Sequence, residues 1–367
     1  MYLIDVSERF AGNVRQEFIN GGIELEKRLA DTDYFGIIVY SEYSRTLLPL
    51  SEIGSTGREK INTILSEIST EKGRGPLSAL DRVVSEFSQN QGRRSDGRSL
   101  VLSVLGETLE DGNGNFYDKK FVEALQNFGV AIYTMGHGDD FEEDAAISAA
   151  EATGGRAYFV GRERSDNLKI RFDLLTLKIT NPNTKDIRID FSTRDGIKLA
   201  NFGDSVIFNE VNIPRISAND TVNIFINALN RPKKTSDIDV DYEYLDIAMR
   251  ADLSGTSTFK INLARGSSDF AEQAPRILKF QILFNMANSI DNLKIGDKNF
   301  RKNYADGFRK MLETRLGPIR NQINTREIQQ IFMDMVSLYD MLAGGTASNG
   351  LVAKQVKYNL HNCRFSE

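Results

Sequence analysis

Short apolar runs alternate with longer stretches of helical spacing at the start of the chain. The run 2–4 is apolar and ends on Asp5. Apolar residues then recur at helical spacing, at Phe10, Val14, Phe18, Leu25 and Leu29. The run 35–40 is apolar enough to be buried on both faces, as strands of parallel sheets are. The pattern predicts a β-α-β unit with Asp5 at the carboxyl end of a strand, where such sheets bind ligands.

The same alternation continues as far as Val160. It predicts helices over 51–68, 77–87, 119–128 and 141–153, and further strands over 100–105, 130–135 and 157–160. Strands that alternate with helices in this way form a parallel sheet covered on both faces. The sequence therefore predicts a doubly wound, mostly parallel α/β domain over residues 1–161.

The pattern changes after a charged, aperiodic stretch at 161–167, which is interpreted as a linker. Short alternating runs separated by turn residues fill 168–265 and predict an antiparallel β-sandwich. Helical spacing returns over 271–345, and residues 346–367 are expected to form a flexible tail. The predicted fold is thus an α/β domain, then a β-sandwich, then a C-terminal helical region.

Four carboxylates share one face of a predicted sandwich strand, at Asp237, Asp239, Asp241 and Glu243. Such a face would suit a calcium ion, but the apolar residues on the other side of the strand favour a solvated face opposite a core face. No metal site is predicted there.

Composition excludes several classes of protein. The chain has 367 residues with Lys+Arg 46 and Asp+Glu 51, so its net charge of -5 gives no basic surplus for nucleic acid. The single cysteine, Cys363, excludes an internal disulfide and a cysteine-based zinc site. No apolar run approaches the roughly 20 residues of a membrane helix, so no membrane insertion is expected. Met1 leads directly into a core strand without a signal peptide, which predicts a cytoplasmic protein.

Enzyme chemistry has little support in the sequence. His137 and His361 are the two histidines, and His137 follows a predicted strand in a glycine turn. The chain has no recognisable Ser-His-Asp order, phosphate-binding loop or activated cysteine. We therefore predict a protein that is not an enzyme.

Residues 3–160 resemble a von Willebrand factor A (vWA) domain. The resemblance rests on four runs in the family's order: DVSERFAGN at 5–13, and the runs 31–50, 129–140 and 150–160. The family carries a D-x-S-x-S loop after its first strand. With a later Thr and a later Asp, that loop forms a metal-ion-dependent adhesion site. The resemblance implies the doubly wound fold and a binding site at Asp5.

The metal-site positions depart from the family pattern. Asp5 and Ser7 match, but Arg9 stands at the second serine. The threonine position falls on Gly75 or Arg74, and the later aspartate falls on Leu105. Magnesium requires an octahedron of oxygens, which these side chains do not supply. The resemblance therefore implies a vestigial site without metal, in which Arg9 pairs with Asp5; Glu107 would replace the missing carboxylate if its loop is shifted.

The predicted function is a non-enzymatic, cytoplasmic scaffold for protein–protein interaction, with no cofactor. Its binding crevice comprises Asp5, Ser7, Arg9 and Glu107, and the partner is a protein of unknown identity. One alternative is a protein-binding vWA module that depends on Mg or Mn. Another is an assembly subunit, because the domain order also resembles the core of the Sec23/Sec24 coat proteins. Bacterial vWA proteins that work beside MoxR-type AAA+ ATPases are a further family-level possibility.

Overall fold

Strands and helices alternate along the first 160 residues. In order they are β1 (Tyr2–Asp5), α1 (Asn13–Arg28), β2 (Tyr34–Tyr40), β3 (Ser44–Glu52), α2 (Ile53–Thr56), α3 (Arg58–Ser66), α4 (Leu77–Gln89), β4 (Leu100–Gly106), α5 (Lys119–Asn127), β5 (Val130–His137), α6 (Glu143–Thr153) and β6 (Ala157–Val160). The structure, a computed structural model, describes residues 1–8, 12–73, 77–90, 100–106, 118–137, 143–160, 182–193, 197–201, 209–217, 221–230, 235–246, 251–262, 279–288, 351–363 and 365–366, with single residues or pairs of residues between some of these ranges. The predicted linker 161–167 lies outside them.

The six strands form one sheet in the order β3-β2-β1-β4-β5-β6. All neighbouring pairs are parallel except β2 and β3, which are antiparallel. Strand β1 is central, and all four of its residues are buried. Asp5 pairs with Tyr40 on one side, and Ile4 pairs with Leu105 on the other. The predicted doubly wound, mostly parallel α/β sheet is confirmed.

Helix α1 packs its apolar face against this sheet. Phe18, Ile19 and Leu25 are buried, as their helical spacing predicts. The Tyr2 hydroxyl on β1 donates a 2.6 Å hydrogen bond to the backbone oxygen of Phe18. Because Tyr2 is fully buried, desolvation raises its pKa well above the ordinary value of 10.

Replacing Tyr2 with Phe should change how stability depends on alkaline pH. The unfolded chain releases the Tyr2 proton near pH 10, whereas the folded chain holds it to higher pH. The stabilisation by neutral Tyr2 is therefore complete below about pH 10 and is lost as the pH rises further. Urea unfolding at pH values from about 10 upward should show that the free energy of unfolding falls more steeply with pH for wild type than for Tyr2→Phe. At neutral pH the substitution should lower the free energy of unfolding by about 1 kcal/mol, because the backbone oxygen of Phe18 loses a hydrogen-bond donor. Parallel pH profiles would contradict this role.

The outer edge of the sheet at β3 is covered by a side chain of α4. Glu86 accepts hydrogen bonds from the Leu50 backbone N–H and from the Thr46 hydroxyl, both at 3.3 Å. Strand β3 also carries Pro49 and two shifts of register against β2. These are devices by which proteins protect a strand edge from further pairing.

The C-terminal part contains β7 (Pro182–Thr193), β8 (Leu199–Asn201), β9 (Glu210–Ser217), β10 (Thr221–Val222), β11 (Ile226–Ala228), β12 (Thr235–Asp246), β13 (Ala251–Asn262), α7 (Leu351–Asn362) and β14 (Phe365–Ser366). Four strands form a sheet in the order β13-β12-β7-β9, and β8 pairs with β11. The hydroxyls of Thr256 and Thr258 donate to Asp241 and Asp239 at 2.6 and 2.7 Å. Since these pairs run in opposite directions, β12 and β13 are antiparallel. Short strands thus occupy the region where the sequence predicts them.

Two compact units divide the chain. The first contains Met1–Arg188, Asn212–Asp220 and Glu243–Leu253, and the second contains Ile189–Val211, Thr221–Tyr242 and Ser254–Glu367. In the second unit, residues 279–288 are helical and Phe280 stacks on Phe225, with ring centroids 3.8 Å apart. The boundaries 1–161, 168–265 and 271–345 stay predictions, and much of 271–345 lies outside the described residues. None of the helices in the described part of the chain is long and apolar enough to cross a membrane.

The end of the chain differs from the prediction of a flexible tail over 346–367. Helix α7 occupies most of that range, and β14 pairs with β10. The helix buries Val356 and Tyr358 together with the polar Lys354, Lys357 and His361. Buried polar residues do not produce an apolar periodicity, which is why the sequence pattern does not reveal this helix.

Candidate functional site

The carboxyl end of β1 presents Asp5 and Ser7 at the edge of the sheet. Both residues are buried, with exposed fractions of 3% and 6%. The Ser7 backbone N–H donates a 2.8 Å hydrogen bond to Asp5 Oδ1. An aspartate that binds the backbone two residues ahead stabilises a turn. The first two residues of the predicted crevice therefore lie together, and one oxygen of Asp5 has a defined partner.

The turn after β2 lies beside this end of β1. The Val6 N–H donates to the Tyr40 oxygen at 2.9 Å, which continues the β1–β2 pairing beyond Asp5. The Ser41 N–H then donates to the Tyr43 oxygen at 3.1 Å and closes the turn into β3. This turn carries Tyr43 with 74% of its surface exposed. An aromatic side chain therefore stands in solvent next to the predicted crevice.

Glu71 is a third polar residue at this edge, and the sequence analysis did not select it. Its backbone N–H donates to the Val6 oxygen at 2.7 Å, and it forms a parallel bridge with Ser7. The Glu71 carboxylate accepts hydrogen bonds from Ser41 Oγ, at 3.1 Å, and from the Arg45 guanidinium. One signal for it exists in the sequence, since Glu71 lies four residues before Gly75, where the resemblance places the metal-site threonine.

Of the remaining predicted site residues, the structure describes only the backbone of Leu105. Arg9, Gly75 and Glu107 lie outside the described residues, so the predicted pairing of Arg9 with Asp5 stays a prediction. Leu105 is placed by its backbone, between Ile4 on β1 and Met135 on β5. Among the described residues, no three His, Cys, Asp or Glu side chains are grouped closely enough to hold a metal ion. The expectation of a vestigial metal site is neither confirmed nor contradicted by this.

Fold and site together define a class of protein: an α/β domain with polar residues at the carboxyl ends of adjacent strands of a mostly parallel sheet. Residues 1–170 match the family model of the von Willebrand factor type A domain. This part of the chain is a vWA domain, as the resemblance of its sequence motifs indicates. No curated protein matches the chain by sequence.

Solved structures share this fold at low sequence identity. A von Willebrand factor type A protein from Catenulispora acidiphila has a TM-score of 0.56 and 14% identity, covering 81% of this chain and 74% of that one. The human COPII-coat protein Sec24c has a TM-score of 0.57 and 10% identity. It matches 100% of this chain, which spans 57% of the Sec24c chain. The ArnB paralog VWA2 from Sulfolobus acidocaldarius has a TM-score of 0.53 and 14% identity, with coverages of 99% and 87%.

Proposed function

We propose that this chain is a non-enzymatic scaffold for protein–protein interaction, and that its vWA crevice binds a protein partner without a metal ion. Domains of this family are generally interaction modules rather than enzymes. The proposal places the protein in the cytoplasm and includes no cofactor, no nucleic acid and no membrane insertion. It identifies the partner only as a protein.

The chemistry of the residues at the metal-site positions supports the metal-free part of this proposal. Asp5 and Ser7 offer oxygens, but Arg9 offers a cationic guanidinium, and the side chains of Gly75 and Leu105 contain no oxygen. Magnesium and manganese prefer octahedral oxygen ligands, with carboxylates as anchors. The residues present therefore fit these ions poorly.

The observation that carries the proposal is the ion pair between Glu71 and Arg45 beside Ser7. Glu71 is joined to Ser7 by a backbone bridge, and its carboxylate is bound by Arg45 and Ser41. Both oxygens of the Glu71 carboxylate are thus already bound by side chains of this chain, so Glu71 is not available as an oxygen ligand for a divalent cation at this edge of the sheet. The exposed Tyr43 adds a side chain of the type that dominates protein interfaces.

Two alternatives are supported by particular observations. Retention of Asp5 and Ser7 favours a Mg- or Mn-dependent protein-binding module, in which Glu107 or a partner's carboxylate completes the ligand set. The other alternative is an assembly subunit of the coat or AAA+ partner type; the similarity to Sec24c, which covers the whole chain at 10% identity, is one of fold and bears on the coat type only.

Affinity capture from the native host, followed by mass spectrometry, tests the proposed function. Wild-type chain should retain the same partner in EDTA and in magnesium. Tyr43→Ala should lose most of that partner. Met249→Ala should not, although it also removes an exposed apolar side chain of the same unit, 61% exposed against 74% for Tyr43. Capture that disappears in EDTA would establish the metal-dependent alternative. Equal capture by Tyr43→Ala and wild type would show that the turn carrying Tyr43, beside the crevice, is not part of the binding surface.

A further inference from the structure

Strand β13 is an edge of the four-stranded sheet in the described part of the chain, where β12 is its one strand neighbour. Ser254, Thr256 and Thr258 share one face of β13, and all three are exposed. Ser257 lies on the other face and is exposed as well. Neither face of the strand is therefore covered along this stretch. An open strand edge presents backbone N–H and C=O groups that can pair with another strand.

This edge lacks the protection that two other edge strands of the chain carry. Strand β3 contains Pro49 and is covered by Glu86, and β9, at the opposite edge of the four-stranded sheet, contains Pro214. Residues 254–259 of β13 include no proline and no charged side chain. Threonine is also enriched in strands, because its branched side chain fits the pleated surface. This run is therefore suited to accept a further strand.

Two carboxylates of β12 are directed toward the same run. Asp241 Oδ1 accepts a 2.6 Å hydrogen bond from the Thr256 hydroxyl. Asp239 Oδ1 accepts a 2.7 Å hydrogen bond from the Thr258 hydroxyl. A carboxylate has about four acceptor sites, so one hydroxyl does not saturate it. One face of the open edge is thus negatively charged, although the edge strand itself carries no charge there.

The register of the two strands leaves this negative charge beside the open run. The two hydrogen bonds from threonine place Lys260, the one cation in the sequence of β13, opposite Asp237. An added strand would lie about 5 Å beyond β13 and about 10 Å from β12, a gap that long cationic side chains span. A second copy of this chain would bring its own Asp239 and Asp241 to that face, and like charges there oppose pairing.

The other face of the edge carries an aromatic side chain. A Cβ atom at Gly255 would lie 2.4 Å from Tyr242 Oη, so the Tyr242 side chain extends from β12 across Gly255 of β13. Tyr242 remains 38% exposed. Aromatic and β-branched side chains on neighbouring strands pack favourably against each other. This face therefore suits an apolar side chain of an added strand.

We propose that residues 254–259 of β13 bind an extended segment of a protein partner in which Lys or Arg alternates with apolar residues. The segment pairs its backbone with β13. Its cations lie on the face of Asp239 and Asp241, and its apolar side chains lie on the face of Tyr242. This surface belongs to the second compact unit, whereas Asp5 and the crevice belong to the first. The proposal therefore goes beyond the proposed function and does not depend on it.

Fluorescence anisotropy with labelled peptides tests the charge of the partner. The full chain should bind a fluorescein-labelled Thr-Lys-Val-Lys-Val-Lys-Thr peptide, and should bind the peptide with Glu in place of every Lys at least roughly tenfold more weakly. The double variant Asp239→Asn/Asp241→Asn keeps both hydrogen-bond acceptors and should bind the basic peptide at least roughly fivefold more weakly than wild type. Glu210→Gln is the matched control, because it removes an exposed carboxylate from β9 at the opposite edge, and its affinity should equal that of wild type.

Two methylated peptides separate strand pairing from general attraction of charge. One carries N-methyl groups on the lysines, and the other carries them on the valines. Alternate residues of a strand direct their N–H groups to the same neighbour, so one of the two sets faces β13. One methylated peptide should lose binding, and the other should retain it.

Several results would overturn the proposal: no binding of the basic peptide, equal affinity of the double variant and Glu210→Gln, or equal effects of the two methylations. Sedimentation of the full chain is a further check. A dimer that the basic peptide dissociates would identify a second copy as the occupant of this edge, which also contradicts a basic partner. Tyr43→Ala should bind the peptide as wild type does, so a failure of the crevice proposal is observed separately.

Discussion

Replacing Arg58 with Met should destabilise the fold far more than replacing Lys27 with Met, although each change removes one cation from an ion pair. The difference lies in the partner carboxylate. Glu26 is completely buried, and its Oε1 accepts a 2.6 Å hydrogen bond from Arg58 Nη1. Its Oε2 has no hydrogen-bond partner among the described residues. Loss of Arg58 would leave a buried, uncompensated anion, which is among the most destabilising states a side chain can create.

Arg58 also connects three parts of the first unit. Besides the Glu26 side chain, it donates to the backbone oxygens of Glu26 and Leu29, at 2.8 and 2.7 Å, and to Asp31 Oδ1. The hydrogen bond to Asp31 is the largest of the effects that raise the pKa of Arg58. This one residue therefore ties the start of α3 to the end of α1 and to the loop before β2.

Urea unfolding of three variants would check this account. Arg58→Met should have a much lower free energy of unfolding than wild type, and Lys27→Met should have almost the same one. The double variant Arg58→Met/Glu26→Leu should recover much of the loss, because it removes the buried charge together with its partner. A double variant less stable than Arg58→Met alone would show that the carboxylate is not the cause.

Replacing Gly155 with Ala should prevent normal packing of β6 against β5. A Cβ atom at this position would lie 1.8 Å from the Ile132 backbone oxygen and 2.5 Å from its carbonyl carbon. The strands cannot separate freely, because the Thr134 N–H donates to the Arg156 oxygen at 2.8 Å. Because the colliding atoms belong to the backbone, no side chain can move aside to make room. We therefore expect the free energy of unfolding to fall by at least about 3 kcal/mol.

Gly129→Ala is the matched control for this prediction. Gly129 has φ of 67° and open space where a Cβ would stand, so alanine there meets conformational strain without a collision. That strain should lower the free energy of unfolding by about 1 kcal/mol. Calorimetric melts of both variants would measure the difference. A Gly155→Ala protein as stable as Gly129→Ala would mean that the close approach of β6 to β5 is absent.

The order of the N-terminal elements was predictable because a single period describes each of them. Strand β2 is a continuous apolar run, and Phe18 and Leu25 repeat at helical spacing. The position of Asp5 at the carboxyl end of β1 was predictable for the same reason, since Asp5 ends the buried run. These features depend on neighbours in sequence, and local pattern captures them.

The Glu71–Arg45 pair and the buried Glu26 depend instead on contacts distant in sequence. Arg45 and Glu71 are 26 positions apart and meet only because β3 and the segment after α3 both reach the end of β1. Glu26 is one of several charged residues in the second half of α1, and nothing in its spacing marks it as buried. Such contacts follow from strand register and helix rotation, which an isolated sequence pattern does not specify.

Arg9→Ser provides the comparison for the claim that the crevice works without metal. The substitution restores a hydroxyl oxygen at the second serine position beside Asp5 and Ser7. If Arg9 takes the place of the cation, this variant should be less stable than wild type or should acquire a melting temperature that rises with magnesium.

Thermal melts of the wild-type chain, in millimolar magnesium or manganese and in EDTA, test the central claim most directly. A ligand that binds only the native state must raise the melting temperature. We predict the same melting temperature in all three solutions. A clear upward shift in magnesium or manganese would contradict the account and establish the crevice as a working metal site.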